Sequence, residues 1–168
     1  MKLKKLFTVL AAAVLAMALL TACGGGEGGT TTASAKTPAE VKTALLEANP
    51  ISNPLEITAD HLFLLDYLLV EEDVAEFAGV RSNDAYDAGV VLVIKAAEGK
   101  AETVKSTLEE YRQGMIAYFG NYPESADAMV NVENGVLTVS GDLVVMVWAS
   151  NECADPSALS AAVTAALG

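Results

Sequence analysis

Val90-Val91-Leu92-Val93-Ile94, with the amphipathic stretch 100–119 behind it, decides the fold class of this 168-residue chain. Five apolar residues in a row, four of them β-branched, have the length and composition of a strand in the middle of a sheet. In the stretch that follows, Val104, Leu108, Tyr111, Met115 and Tyr118 recur at alternating steps of four and three. That spacing draws one apolar stripe along a helix. Glu102, Lys105, Glu109, Arg112 and Gln113 cover the opposite side, and Lys105 with Glu109 forms an i, i+4 pair. A strand followed by a helix with one apolar face predicts a helix packed on a sheet.

Working outward, 74–82 reads as a strand, with Asn83-Asp84 and Asp87 supplying turn chemistry before the stretch 86–96. Asn134-Gly135 and Ser140-Gly141-Asp142 flank Val136 to Val139, and Leu143 to Ala149 should return as the second arm of a hairpin. Residues 129–132 fit either a third strand of this meander or the last turn of a helix. On the N-terminal side, Thr37-Pro38-Ala39-Glu40 is a capping box with proline at the first helical position, and Val41 and Leu45 form the inner stripe. Asn49-Pro50 ends that helix, because the residue before proline avoids helical geometry. Residues 51–56, with Asn53-Pro54, read as an extended connector. Thr58 is expected to cap a short helix through Asp60, Leu62, Leu65 and Leu69, with a strand as the alternative. Asp155-Pro156 opens a last helix carrying Leu159, Val163 and Leu167. The expectation is an α+β domain: an antiparallel sheet of about four strands with helices packed on one face, in α-α-ββ-α-ββ-α order.

The N-terminus carries a different message. Lys2, Lys4 and Lys5 precede an apolar run from Leu6 to Leu20, and Leu20-Thr21-Ala22-Cys23-Gly24 follows. This order resembles the export signal of bacterial lipoproteins. The resemblance implies removal of residues 1–22 and attachment of a diacylglycerol to Cys23, anchoring the protein to the outer face of the cell membrane. Ordinary secretion and a retained membrane helix are the alternatives; the 15-residue run is short of the roughly 20 needed to span a bilayer. Residues 23–36 are rich in Gly, Ser and Thr and read as a flexible tether with a span of roughly 20 Å. Residues 37–168 then form one domain. Without the signal, seven basic residues remain against 22 acidic ones. So acidic a chain is a poor candidate for binding nucleic acid, where affinity comes from Lys and Arg on phosphates.

Beyond the signal, residues 37–167 resemble a family of small lipoproteins of Gram-positive anaerobes that carry a domain of unknown function. The matching features are Val104-Lys105 and Leu108-Glu109 in the long helix, its ending from Tyr118 to Tyr122, and the hairpin Val139-Ser140-Gly141-Asp142-Leu143-Val144. The resemblance implies location and fold; it brings no activity and no catalytic residues.

Candidates for chemistry are few. Cys153 has no intramolecular partner if Cys23 is acylated, and it reads as an apolar filler rather than a nucleophile, with no histidine or basic group beside it. The single histidine, His61, would have to serve any Ser-His or Cys-His hydrolase. Glu71-Glu72-Asp73 with Glu76, and Asp84 with Asp87, are acidic runs without a calcium-loop pattern, and they read as solvated faces. No cofactor or metal site is expected. Tyr111, Tyr118 and Tyr122, with Phe119, cluster around the end of the long helix and are weak candidates for a ligand-stacking platform; core packing and closure of the helix end compete with that reading. Trp148 reads as core. By elimination, the expected role is a tethered, non-catalytic binding or accessory module for a protein, a wall component or a small ligand. A small solute-binding component of a transporter and an envelope hydrolase are the alternatives.

Overall fold

In the computed structural model, which describes residues 36–168, strands β3 (Val90–Ala96) and β5 (Leu143–Trp148) lie side by side in antiparallel register, from Val90 opposite Trp148 to Lys95 opposite Leu143. Apart from Lys95, every residue of both strands is buried. Alternate side chains go to opposite faces: Val90, Leu92, Ile94, Val144, Met146 and Trp148 join one apolar cluster, and Val91, Val93, Leu143, Val145 and Val147 join another. A strand packed on both faces has no position left for a polar residue, which is why these two runs do not alternate.

The rest of the sheet grows from this pair. β2 (Val74–Ser82) pairs with β3, β1 (Pro54–Glu56) with β2, and β4 (Val136–Ser140) with β5. The order is β1-β2-β3-β5-β4, antiparallel throughout. The connector expected at 51–56 thus supplies a short fifth strand. Pro54, which lacks an N–H, is tolerated there because β1 is an edge. β4 and β5 turn through Gly141-Asp142, with Gly141 at φ 62° in the first central position, where a tight hairpin loop favours glycine.

The fold class is α+β as expected, but the helices lie on both faces rather than one. On the first face, α1 (Pro38–Ala48) and α4 (Leu159–Leu167) place Val41, Leu45, Leu159 and Val163 against Val91, Val93, Val145 and Val147. On the second, α2 (Ala101–Gly120) and α3 (Ala126–Glu133) place Val104, Leu108, Phe119 and Val132 against Leu92, Ile94, Val144 and Met146. Burying one such side chain contributes about 1.5–3 kcal/mol. The α1 cap forms as its sequence predicts: Thr37 Oγ1 accepts from the Glu40 N–H at 3.3 Å, and the Glu40 carboxylate accepts from the Thr37 N–H at 2.8 Å. The Thr37 N–H and, at the same 2.8 Å, the Thr37 hydroxyl both donate to that carboxylate and hold the Glu40 carboxyl below its ordinary range. Residues 129–132 are helical, within α3.

Two apolar stripes differ from the sequence reading. In α2, Phe119 is buried and Tyr118 is 53% exposed, because α3 closes over the end of α2 on the Phe119 side. Residues 58–70 form no regular helix. His61–Leu65 makes one wide π-type turn, with the Asp66 and Tyr67 N–H groups both donating to the His61 carbonyl. The inward side chains are Leu62, Tyr67 and Leu69, whereas Leu65 is 65% exposed. Turning Tyr67 inward in place of Leu65 requires the wider turn, and it leaves Leu68 in the left-handed region at φ 52°. A branched side chain there is strained by roughly 1–3 kcal/mol and is held by its surroundings.

Candidate functional site

Residues 58–70, the end of β2, the β2–β3 loop and the second half of α2 meet around a half-open pocket of about 260 Å³. β2 runs Phe77, Gly79, Arg81 along the face that α2 covers, and Arg81 pairs in register with buried Val90. Strand geometry therefore carries an arginine to the edge of an apolar core. Its aromatic surroundings come from three elements: Tyr67 from the irregular turn, Tyr111, Tyr118 and Phe119 from α2, and Trp148 from β5. Tyr111 stacks on Trp148 with ring centres 5.7 Å apart and planes 9° from parallel, and it meets Tyr67 at 4.5 Å.

Burial pushes the Tyr67 hydroxyl well above its ordinary value and the Tyr111 hydroxyl up to about 12. Both therefore stay neutral at physiological pH. Since an unfolded tyrosine ionises near 10, the unfolded chain loses these protons first. The stabilisation is complete below about pH 10 and falls as pH rises towards 12. For Tyr111 this predicts a loss of up to about 3 kcal/mol by pH 12. Urea unfolding between pH 8 and 11.5 should show that decline, with a shallower slope in Tyr111→Phe; an equal slope in the two proteins would refute it.

Among the described residues Arg81 has one ionic neighbour, Asp66, whose Oδ2 lies 3.8 Å from Arg81 Nε. Neither of these two buried atoms has a hydrogen-bond partner among the described residues. The loop at the mouth is shaped by its own carboxylates. Asp87 Oδ1 accepts from the Gly89 and Asn151 N–H groups at 2.9 and 3.1 Å, and Asp84 Oδ1 accepts from Asn53 Nδ2 at 2.9 Å. The Asp84 and Asp87 pair, read from sequence as a solvated face, thus builds the pocket rim. In the other acidic run, Asp73 is buried and takes a 2.8 Å bond from Lys100 Nζ, while Glu71 and Glu72 are exposed. Among the described residues no group of three or more His, Cys, Asp or Glu side chains is placed to hold a metal ion.

Of the three tyrosines singled out by sequence, Tyr111 and Tyr118 line the pocket. Tyr122 lies outside the lining, 5.4 Å from Tyr118. Tyr67, Arg81 and Asp66 were not anticipated; the available signal was Arg81 itself, a charge in phase with Phe77 on a strand that must pack inward. Cys153 packs in the α1–α4 cluster, with its thiol 3.5 Å from the Ala48 carbonyl, and burial pushes that thiol up. His61 Nδ1 accepts from the Thr58 N–H at 3.1 Å, next to Leu62 in the opposite cluster. The sheet therefore separates the histidine from the cysteine. Larger hollows of about 360, 380 and 400 Å³ lie near Gly99, Pro156 and Phe63; the first two have no aromatic lining, and the third has aromatic rings and carboxylates but no cationic residue.

Cys23, the Leu20-Thr21-Ala22 motif before it, the signal 1–22 and nearly all of the tether lie outside the described residues. No helix among the described residues is long and apolar enough to cross a membrane. No curated protein and no solved structure matches the chain significantly. One family model does match it, over residues 52–149, which run from the start of β1 to the end of β5 and include the strands, turn and helix that build the pocket; the chain belongs to that family, DUF4358, a domain of unknown function.

Proposed function

We propose that the chain is a lipid-anchored module on the outer face of a bacterial cell membrane that binds a small ligand without transforming it. The observation that carries this reading is the aromatic pocket around Arg81. Pockets for drug-sized molecules run from about 300 to 1,000 Å³, so a volume of about 260 Å³ suits a single sugar, an amino acid or the exposed end of a longer chain. The export motif ending at Cys23 and the Gly/Ser/Thr stretch after it support tethering close to the membrane. The separation of His61 from Cys153 supports a non-catalytic role. The transporter alternative, a solute-binding subunit, is disfavoured because such proteins ordinarily close two lobes around their solute, whereas the described residues form one sheet with helices on both faces.

The test is a thermal-shift screen of the fragment 24–168 against divalent cations, saccharides, peptides and peptidoglycan fragments. A ligand at a hundred times its Kd adds about 2.7 kcal/mol, a rise of several degrees for a domain of this size. That shift should disappear in Tyr111→Ala. No saturable shift across the panel would overturn the small-ligand reading. For the anchor, Cys23→Ser should move the full-length protein from the detergent phase to the aqueous phase on partitioning.

One observation favours a protein partner instead. Leu64, Leu65, Leu68 and Val70 are 56–70% exposed on the outer side of the turn that carries Tyr67 into the pocket. Large exposed apolar side chains gathered in one short segment are a common mark of a protein contact.

A further inference from the structure

We infer that the pocket takes a small zwitterion, an apolar α-amino acid in its free form, with the carboxylate on Arg81 and the ammonium towards the Asp84–Asp87 rim. The inference rests on the small-ligand reading above and names its chemistry. Arg81 is the only cationic residue in the lining, and its guanidinium makes no hydrogen bond to any described residue; its one ion pair is the long contact with Asp66. Five N–H donors in a planar fork match a carboxylate, and the surrounding rings leave the Arg81 side chain only 35% exposed to competing water.

The opposing charges decide between a simple anion and a zwitterion. Asp84 and Asp87 stand at the mouth, each with one carboxylate oxygen engaged, that of Asp84 by Asn53 and that of Asp87 by Gly89 and Asn151. The chain as a whole carries a net charge of −12. A net anion must approach against that field. A net-neutral zwitterion does not, and it presents an ammonium to the rim that would repel a lone carboxylate. Its apolar side chain lies against Tyr111 and Tyr118, and the cavity volume admits one residue rather than a peptide.

Trp148 is the only tryptophan in the chain and stacks on Tyr111, so its emission on excitation at 295 nm reports occupancy directly. Full-length protein in detergent is titrated with L-phenylalanine, 3-phenylpropionate, which has only the carboxylate, and phenethylamine, which has only the ammonium. Expected is a Kd for phenylalanine at least about tenfold below either single-charge analogue, the factor a charge-assisted hydrogen bond carries. Arg81→Met should weaken phenylalanine about tenfold or more and leave phenethylamine unchanged. If Arg81→Met fails to fold, Asp84→Asn on the exposed rim serves instead, and should weaken phenylalanine and leave 3-phenylpropionate unchanged or tighter. Equal affinity for all three probes overturns the zwitterion and leaves the pocket reading standing. Silence towards these probes with a response to a neutral sugar does the same. Silence towards every small molecule overturns both.

Discussion

An Asn49→Ala variant unfolds roughly 10–20 °C below the parent chain, a loss of about 3–5 kcal/mol. Asn49 ends α1 and has no solvent exposure. Its side-chain Nδ2 donates to the Trp148 carbonyl at 2.8 Å, and its Oδ1 accepts from the Ser150 N–H at 2.8 Å. One amide therefore acts as a further strand for the end of β5, where the chain leaves the sheet. Ser150 Oγ reinforces the junction by donating to the Pro50 carbonyl. Removing the amide leaves a carbonyl and an N–H buried without partners, at about 1–3 kcal/mol each. Asn49→Asp keeps the acceptor, loses the donor and buries a charge. It should therefore be the less stable of the two at pH 7 and recover part of the difference as the carboxyl is protonated. Urea denaturation at pH 7 measures both variants. A loss below about 1 kcal/mol for Asn49→Ala would mean that water replaces the amide, and that the α1–β5 junction is not what holds the two elements together.

Asn49 also marks the limit of what the sequence discloses. That a helix stops at Asn49-Pro50 is a local matter of backbone geometry and is legible. That its amide reaches residues about a hundred positions later depends on which strand lies beside α1, and no local pattern encodes that. The same division runs through the fold. Capping box, hairpin glycine and β-branched run are each local, and each appears where the sequence places it; the α2 stripe does so as far as Met115, after which Phe119 replaces Tyr118. The single helical layer fails although the contrary evidence was local too. Val90 to Ile94 and Leu143 to Trp148 lack polar alternation, and a strand that does not alternate needs cover on both faces. The pocket is half legible. Tyr111 and Tyr118 stand out by clustering on one helix, whereas Tyr67 enters through a turn that breaks helical spacing, and Arg81 counts only once β2 is known to pack under α2.

Gly135→Ala should be the most damaging single-methyl addition at the pocket floor. A Cβ at residue 135 would sit 2.2 Å from Trp148 Cδ1 and 3.0 Å from both Trp148 Nε1 and the Val147 carbonyl. The backbone oxygen cannot yield, and the indole is backed by Tyr111 stacked on it. Relief requires either lifting the α3–β4 turn from β5 or pushing Trp148 into Tyr111, and overpacking of this kind costs about 1–3 kcal/mol. Gly114 provides the opposite case in the same domain: it lies inside α2, is exposed, and has nothing within 4 Å of a built Cβ. Ala there should stabilise by about 0.5–1 kcal/mol, because glycine surrenders more backbone entropy in a helix. The two identical substitutions therefore shift the melting temperature in opposite directions. Only Gly135→Ala should change Trp148 emission, and it should weaken any ligand whose binding that emission reports, although residue 135 is not part of the pocket lining. If Gly135→Ala leaves both stability and emission at parent values, the indole is mobile. The Tyr111–Trp148 stack would then be no fixed floor, and the pocket would form only around its ligand.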